Sequence, residues 1–301
     1  MAVPSVGLGL SGTHIVQLLG DEKLVTAWDE LPLAFSILGV DQLDHRAGEA
    51  DHVAFDGSAA AATLMARTTS ARVLIAAPPR RDHPYNLARR TASLGHLSAG
   101  RTGVVFGSPR HSLGEIDPWV RGRDLADAEI TQRHAVAAAR AVRDLEQSWP
   151  LDSVIGDRET GIFVRSDRIQ HVDIEGLYPI AGPLTIPEPP FGPSALAWWV
   201  AAGGSPPTAD VLDAVDVVLG DDATPTLGLD EVPGPDARRV IVDAGPDTDV
   251  ADVLSAARHL LTETAAHTDR TLSLRAVLAT GVTARPRTRP AFPVPQPHPW
   301  L

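Results

Sequence analysis

Short, almost wholly apolar runs, separated by stretches of helical period, restrict this 301-residue chain more than any other feature. The runs lie at 3–10, 33–40, 72–77, 102–106, 195–201, 215–219 and 239–242. A strand with one wet face alternates apolar and polar residues. These runs do not, so each reads as a parallel strand buried on both sides between helices. The helical stretches have a different period. Ala135, Ala138, Val142 and Leu145 recur three and four apart and stop before Trp149-Pro150, and Val253, Leu254, Ala257, Leu260 and Leu261 form a second stripe. An Ala-rich helix is expected over 58–67, and Pro84 suits the first turn of another running through Leu87 and Leu94 toward Gly100. A repeated strand–helix–strand order predicts an α/β fold, a TIM-like (β/α)8 barrel, complete or shortened. Seven strands are counted. The run at 272–278 suits an eighth strand or a helix equally well.

Two segments break the rhythm. Residues 152–193 hold short β-like pieces at 161–164 and 169–174, then Gly-Pro and Pro-Glu-Pro-Pro punctuation, and read as an excursion from the barrel. Residues 221–236, rich in Asp, Gly and Pro, read as a surface loop. The barrel domain is taken as 1–284. Residues 285–301, with six prolines, form a tail expected to pack on its own surface or on a partner, or to be disordered.

The charge balance, 26 Lys plus Arg against 38 Asp plus Glu, disfavours nucleic acid as a partner. The pairs Arg80-Arg81, Arg89-Arg90 and Arg121/Arg123 are scattered and read as solvated faces. With no cysteine, disulfides, thiolate metal sites and a cysteine nucleophile are excluded. The eleven histidines show no spacing that reads as a metal site. Neither a signal peptide nor a membrane span is read, so a cytoplasmic location is expected.

The sharpest string is His83-Pro84-Tyr85-Asn86-Leu87-Ala88-Arg89-Arg90, followed by Ser93-Leu94-Gly95-His96-Leu97-Ser98-Ala99-Gly100-Arg101. It resembles a segment of the bacterial-luciferase-like flavin monooxygenases, in the branch of the nitrilotriacetate and dibenzothiophene-sulfone enzymes. Arg143 to Trp149, Ile169 to Gly176 and Gly182 to Pro187 follow in the order of that branch, and Thr271 to Arg275 is a weaker echo. The resemblance covers about two-thirds of the chain by these segments. It implies a (β/α)8 barrel using reduced FMN from a separate reductase, with O2, on a small organic substrate, and a homodimer. Deazaflavin in place of FMN is the alternative within the enzyme class. A non-catalytic paralogue without cofactor, binding a ligand or an active subunit, is the alternative outside it.

The resemblance nominates site residues one by one. Asp41 stands at the end of the second strand, where the family has an acidic residue lining the flavin pocket. Asn86 replaces a family His, and His83 lies three residues before it. Ser108 matches a family Ser after the fourth strand, and Gln132 stands where a Tyr holds the flavin phosphate. Gly203-Gly204-Ser205 matches a phosphate-binding turn, ahead of a helix expected near Pro206-Pro207. At Ala76-Ala77-Pro78-Pro79 the family's hydroxyls are missing. No catalytic base is identified; His83 and His111 are the candidates. If 195–201 is a strand, one of Trp198 and Trp199 faces the barrel interior.

Overall fold

Strand β1 (Ser5–Leu10) shows how the sequence builds the sheet in the computed structural model. Val6, Leu8 and Leu10 face the surrounding helices, and Gly7 lies against the ring of Phe35 on the other face. The structure describes residues 4–43, 56–78, 81–107, 128–201, 204–221, 224–229, 231, 234, 237–245, 247–282, 284 and 288–297. After β1 come helices α1 (Gly12–Gly20) and α2 (Glu22–Glu30), β2 (Phe35–Leu38), α3 (Gly57–Ala66), β3 (Val73–Ala77), α4 (Pro84–Leu97), β4 (Thr102–Gly107) and α5 (Ala128–Glu146). A two-residue hairpin, β5 (Asp173–Ile174) with β6 (Ile180–Ala181), lies in the expected excursion. Then follow β7 (Ala195–Trp199), α6 (Ala209–Ala214), β8 (Val217–Leu219), β9 (Thr226–Leu227), β10 (Arg239–Val242), α7 (Val250–Glu263) and α8 (Leu274–Leu278).

Eight strands form one curled parallel sheet in the order β8-β7-β4-β3-β2-β1-β10-β9. This is the TIM-like order with one seam: among the described residues no ladder joins β8 to β9. The eighth strand lies inside 221–236, which the sequence presents as a surface loop. Thr226 and Leu227 pair with Ile241 and Val242 there, too short a strand to carry a period. The run at 272–278, which suits strand or helix by sequence, folds as α8. The Ser273 hydroxyl accepts from the Ala276 N–H at 3.3 Å, a helix N-cap. Nor does α6 begin at Pro206-Pro207. It begins at Ala209 with Thr208 before it, because a residue preceding proline is pushed out of the α region.

Alternation along the strands divides the core. Outward residues of β1, β3 and β10 pack on α1, α2, α3 and α7, and Val104, Phe106, Leu196 and Trp198 pack on α4 and α5. Inward residues, including Phe35, Ile37, Leu74, Val105, Ala197, Trp199 and Ile241, fill the interior. Helix α8 closes the N-terminal end. Leu274 approaches Gly103 so closely that a Cβ there would lie 2.8 Å from its Cδ2. The described part of the tail packs on its own chain: the His171 N–H donates to the Arg289 carbonyl at 2.9 Å and the Ala291 N–H to that of Ile169 at 2.8 Å. None of the described helices is long and apolar enough to cross a membrane.

Asp29 at the end of α2 ties that helix to the approach to β3. Its carboxylate accepts from the N–H groups of Thr69, Ser70 and Ala71 at 3.0, 2.9 and 2.7 Å. Burial pushes this carboxyl up, but the three N–H donors and the Thr69 hydroxyl outweigh it and hold it at about 2. A folded pKa below the unfolded one gives stability that is complete above the ordinary carboxylate range and lost as pH falls toward 2. Asp29→Asn is therefore expected to lower the melting temperature at pH 7 and to flatten its fall in acid. A melting curve equally steep in acid for both proteins would contradict this.

Candidate active site

The C-terminal ends of the strands, where α/β barrels carry their chemistry, gather polar groups in two places. At the exit of β2 the chain turns through Gly39 in the left-handed region, φ 82°, where a Cβ would lie 2.8 Å from Gln42 Nε2. The turn carries Asp41, whose two carboxylate oxygens each lie 3.3 Å from the Gly12 N–H at the start of α1. Arg81, after β3, donates to the Gln42 side-chain oxygen. Beside them Ser11 and His14 cap α1 reciprocally. The Ser11 N–H donates to His14 Nδ1 at 3.1 Å, so Nε2 carries the proton and donates to the Thr248 carbonyl at 2.9 Å. His14 is fully buried. Burial holds its pKa below the ordinary imidazole value, although the Thr248 carbonyl, Asp243 and Asp249 pull the other way.

The second place is a cleft of about 800 Å3 at the C-terminal end of β7, between that strand, α5 and the start of α6. Gly204, Ser205, Gln132 and Arg133 line it together with Val136 and Leu177. Gln132 Nε2 donates to the Thr208 hydroxyl at 2.9 Å, linking α5 to the cap of α6. Arg140 is held by Asp210 and Asp213 at 3.3 and 3.2 Å. Arg133 is exposed and has no carboxylate partner among the described residues. The Gly204 N–H is taken up by the Ala201 carbonyl at 2.7 Å, and Pro206 and Pro207 have none. An anion here therefore meets side chains and the Ser205 N–H rather than a cradle of backbone donors.

The residues named by the sequence are thus dispersed. Gly204, Ser205 and Gln132 meet at the cleft, whereas Asp41 lies three strands away around the sheet. Asn86 is exposed on α4. His83 is the N-cap of α4, its ring 6.0 Å from Tyr178 and edge-on to it. Tyr178 also meets His134, whose Nδ1 lies 3.1 Å from its hydroxyl. Ser108, His111 and Gly203 lie outside the described residues. Trp199 is the interior tryptophan, 2% exposed, and its indole nitrogen has no hydrogen-bond partner among the described residues. Residue type alone does not single out Ser11, His14 or Tyr178. Only Ser11-x-x-His14 directly after an apolar run leaves a trace, as a capping-box spacing.

No family model matches the chain. It is 30% identical over 205 residues to a pristinamycin IIA synthase component of Streptomyces pristinaespiralis, covering 68% of this chain and 64% of that protein. It is 30% identical over 127 residues to N-acetyl-S-(2-succino)cysteine monooxygenase of Bacillus subtilis (strain 168), covering 41% of this chain and 27% of that one. The homologues and structural neighbours of the chain are luciferase-like flavin monooxygenases, at low identity. The chain spans less than two-thirds of the length of either relative. The family fold is also seen in a riboflavin lyase structure with modified FMN and riboflavin, which superposes with a TM-score of 0.55 at 19% identity. That match covers 89% of this chain and 61% of the lyase.

Proposed function

We propose that this chain is a flavin-dependent monooxygenase that takes reduced FMN from a separate reductase and oxygenates a small organic substrate with O2. The observation that carries the reading is the cleft at the end of β7, in a homologue of that family. At one end it holds hydroxyls and a cation without a carboxylate partner among the described residues. Arg133 and the Ser205 hydroxyl and N–H would hold the phosphate. The donor set suits a phosphate monoester, because a planar guanidinium can donate two parallel hydrogen bonds to it. Trp199 supplies a buried indole N–H that lacks an acceptor among the described residues, which a ring carbonyl of the bound cofactor would satisfy. Val136, Val200 and Leu177 offer apolar wall and exclude water from one side. The bound flavin supplies the redox chemistry, and the protein orients it.

Titration of the purified protein with FMN, reduced FMN and deazaflavin tests the reading. Micromolar binding of FMN in either redox state is expected, weakened about 10–100-fold by Arg133→Ala, as loss of a charged hydrogen bond predicts. Deazaflavin alone binding would change the cofactor but keep the enzyme class. No binding by a folded protein would overturn the reading.

A further inference from the structure

At the N-terminal end of the barrel, away from the strand ends that carry the proposed flavin site, lies a second cleft of about 870 Å3. Its surroundings are polar, and nearly every charge there is matched. Glu146, fully buried, accepts from the Thr91 hydroxyl at 2.7 Å and from the N–H and hydroxyl of Ser194 at 2.7 and 2.8 Å. Asp216 accepts from Arg143 and Arg275 at 3.0 and 3.1 Å. On the cleft wall Arg168 pairs with Asp152 at 3.3 Å, and Asp167 with Arg165 at 3.0 Å.

Glu188 is the exception. It lines the cleft on a strap whose backbone is stiffened by Pro187, Pro189 and Pro190. The strap is pinned where the Glu188 N–H donates to the Trp149 carbonyl at 2.8 Å and His96 Nε2 lies 2.9 Å from the Pro187 carbonyl. Among the described residues no hydrogen bond or ion pair reaches the Glu188 carboxylate. A second acceptor on the same cleft, Gln170 Oε1, is buried without a donor among them, its amide nitrogen being held by the Arg168 carbonyl at 2.8 Å. A partly desolvated carboxylate and a buried amide oxygen, both lacking donors among the described residues, leave free energy unrealised.

We propose that this cleft binds an organic cation, an ammonium or amidinium group carrying an apolar body, with its N–H donors on Glu188 and Gln170. Two acceptors, with the described cations of the wall already paired, fix the sign of the ligand. Leu151, Pro150, Pro189 and Val282 along the walls fit a hydrocarbon or aromatic body. A divalent metal suits the site poorly, since it needs several oxygen ligands together and no three metal-ligating side chains converge among the described residues. Burial, then the nearby charge of Glu146, pushes the Glu188 carboxyl up, opposed by Arg275 and reinforced by Asp152. A bound cation favours the ionised form, so binding in mildly acidic solution releases a proton.

The test is calorimetry of the full-length protein with benzylammonium and benzamidinium, with benzyl alcohol and benzoate as uncharged and reversed controls. Saturable binding of a cation, weakened about tenfold or more in Glu188→Gln, is expected. At pH 5 the heat should depend on the ionisation enthalpy of the buffer, which reports the released proton. Gln170→Leu gives a second reading should Glu188→Gln prove poorly folded, and it too should weaken binding. No saturable binding, equal binding to both variants and the parent, or equal affinity for benzyl alcohol would overturn the proposal. Because the clefts lie at opposite ends of the barrel, loss of FMN binding in Arg133→Ala leaves this result untouched.

Discussion

Arg275→Met is expected to lower the unfolding free energy by about 3–5 kcal/mol, the usual penalty for breaking a buried ion pair from one side. The guanidinium donates to the carbonyls of Pro193, Ser194 and Gly281 at 2.6, 2.9 and 2.8 Å, besides pairing with Asp216. It thereby ties α8 to the entry of β7 and completes the lower end of the barrel. Methionine keeps much of the volume but satisfies none of these acceptors. The pH dependence gives a second signature. Burial raises the Glu146 carboxyl above its ordinary range, and the charge of Arg275 partly offsets this. A carboxyl with a raised folded pKa loses stability as pH rises from its unfolded pKa through the folded one. Without Arg275 the Glu146 pKa rises further, so the deficit should be larger at pH 7.5 than at pH 4.5. Urea unfolding at both values checks this, and an equal deficit would show that the charge of Arg275 does not act on Glu146.

Trp199→Ala is expected to be as damaging, about 3–5 kcal/mol, because it empties a large buried position in the interior cluster. Trp199→Phe should cost far less. The indole nitrogen has no partner among the described residues, so its removal relieves an unsatisfied donor while the ring volume is largely kept. Paired urea titrations distinguish the roles of volume and N–H. An alanine variant as stable as the parent would mean that Trp199 does not fill the barrel. A phenylalanine variant that unfolds normally yet binds FMN more weakly would assign the indole N–H to the cofactor.

Much of the fold is legible in the sequence because its signals are local. Short, almost wholly apolar runs such as 72–77, spaced between helical stripes, read as strands between layers, and Pro84 with the stripe through Leu87 and Leu94 marks α4 from its first turn. Strand β9 is hidden because two residues have no period, and its pairing with Ile241 and Val242 is a tertiary event. The fate of 272–278 is set by Ser273 as a cap and by the room that Gly103 leaves for Leu274. The cleft is half legible. Gly204 and Ser205 follow an apolar run and announce a turn, but nothing local tells that the Gly204 N–H is already occupied or that Arg133 faces the same space. Glu188 is hidden for a similar reason: a single acid between prolines gains meaning only when its neighbours are seen to be paired with one another.

Among the described residues the seam between β8 and β9 leaves the sheet two unpaired edges, and both are very short, three residues and two. Edges of that length offer little template for an incoming strand, which protects the chain from edge-to-edge aggregation. Over the described residues they also make the sheet a split ring rather than a closed hoop. In a closed barrel, strand number and stagger set the girth. A split ring can change its girth by hinging at the gap, with every ladder bond intact. The covalent connection from Leu219 to Thr226 is then the clasp that limits how far it spreads.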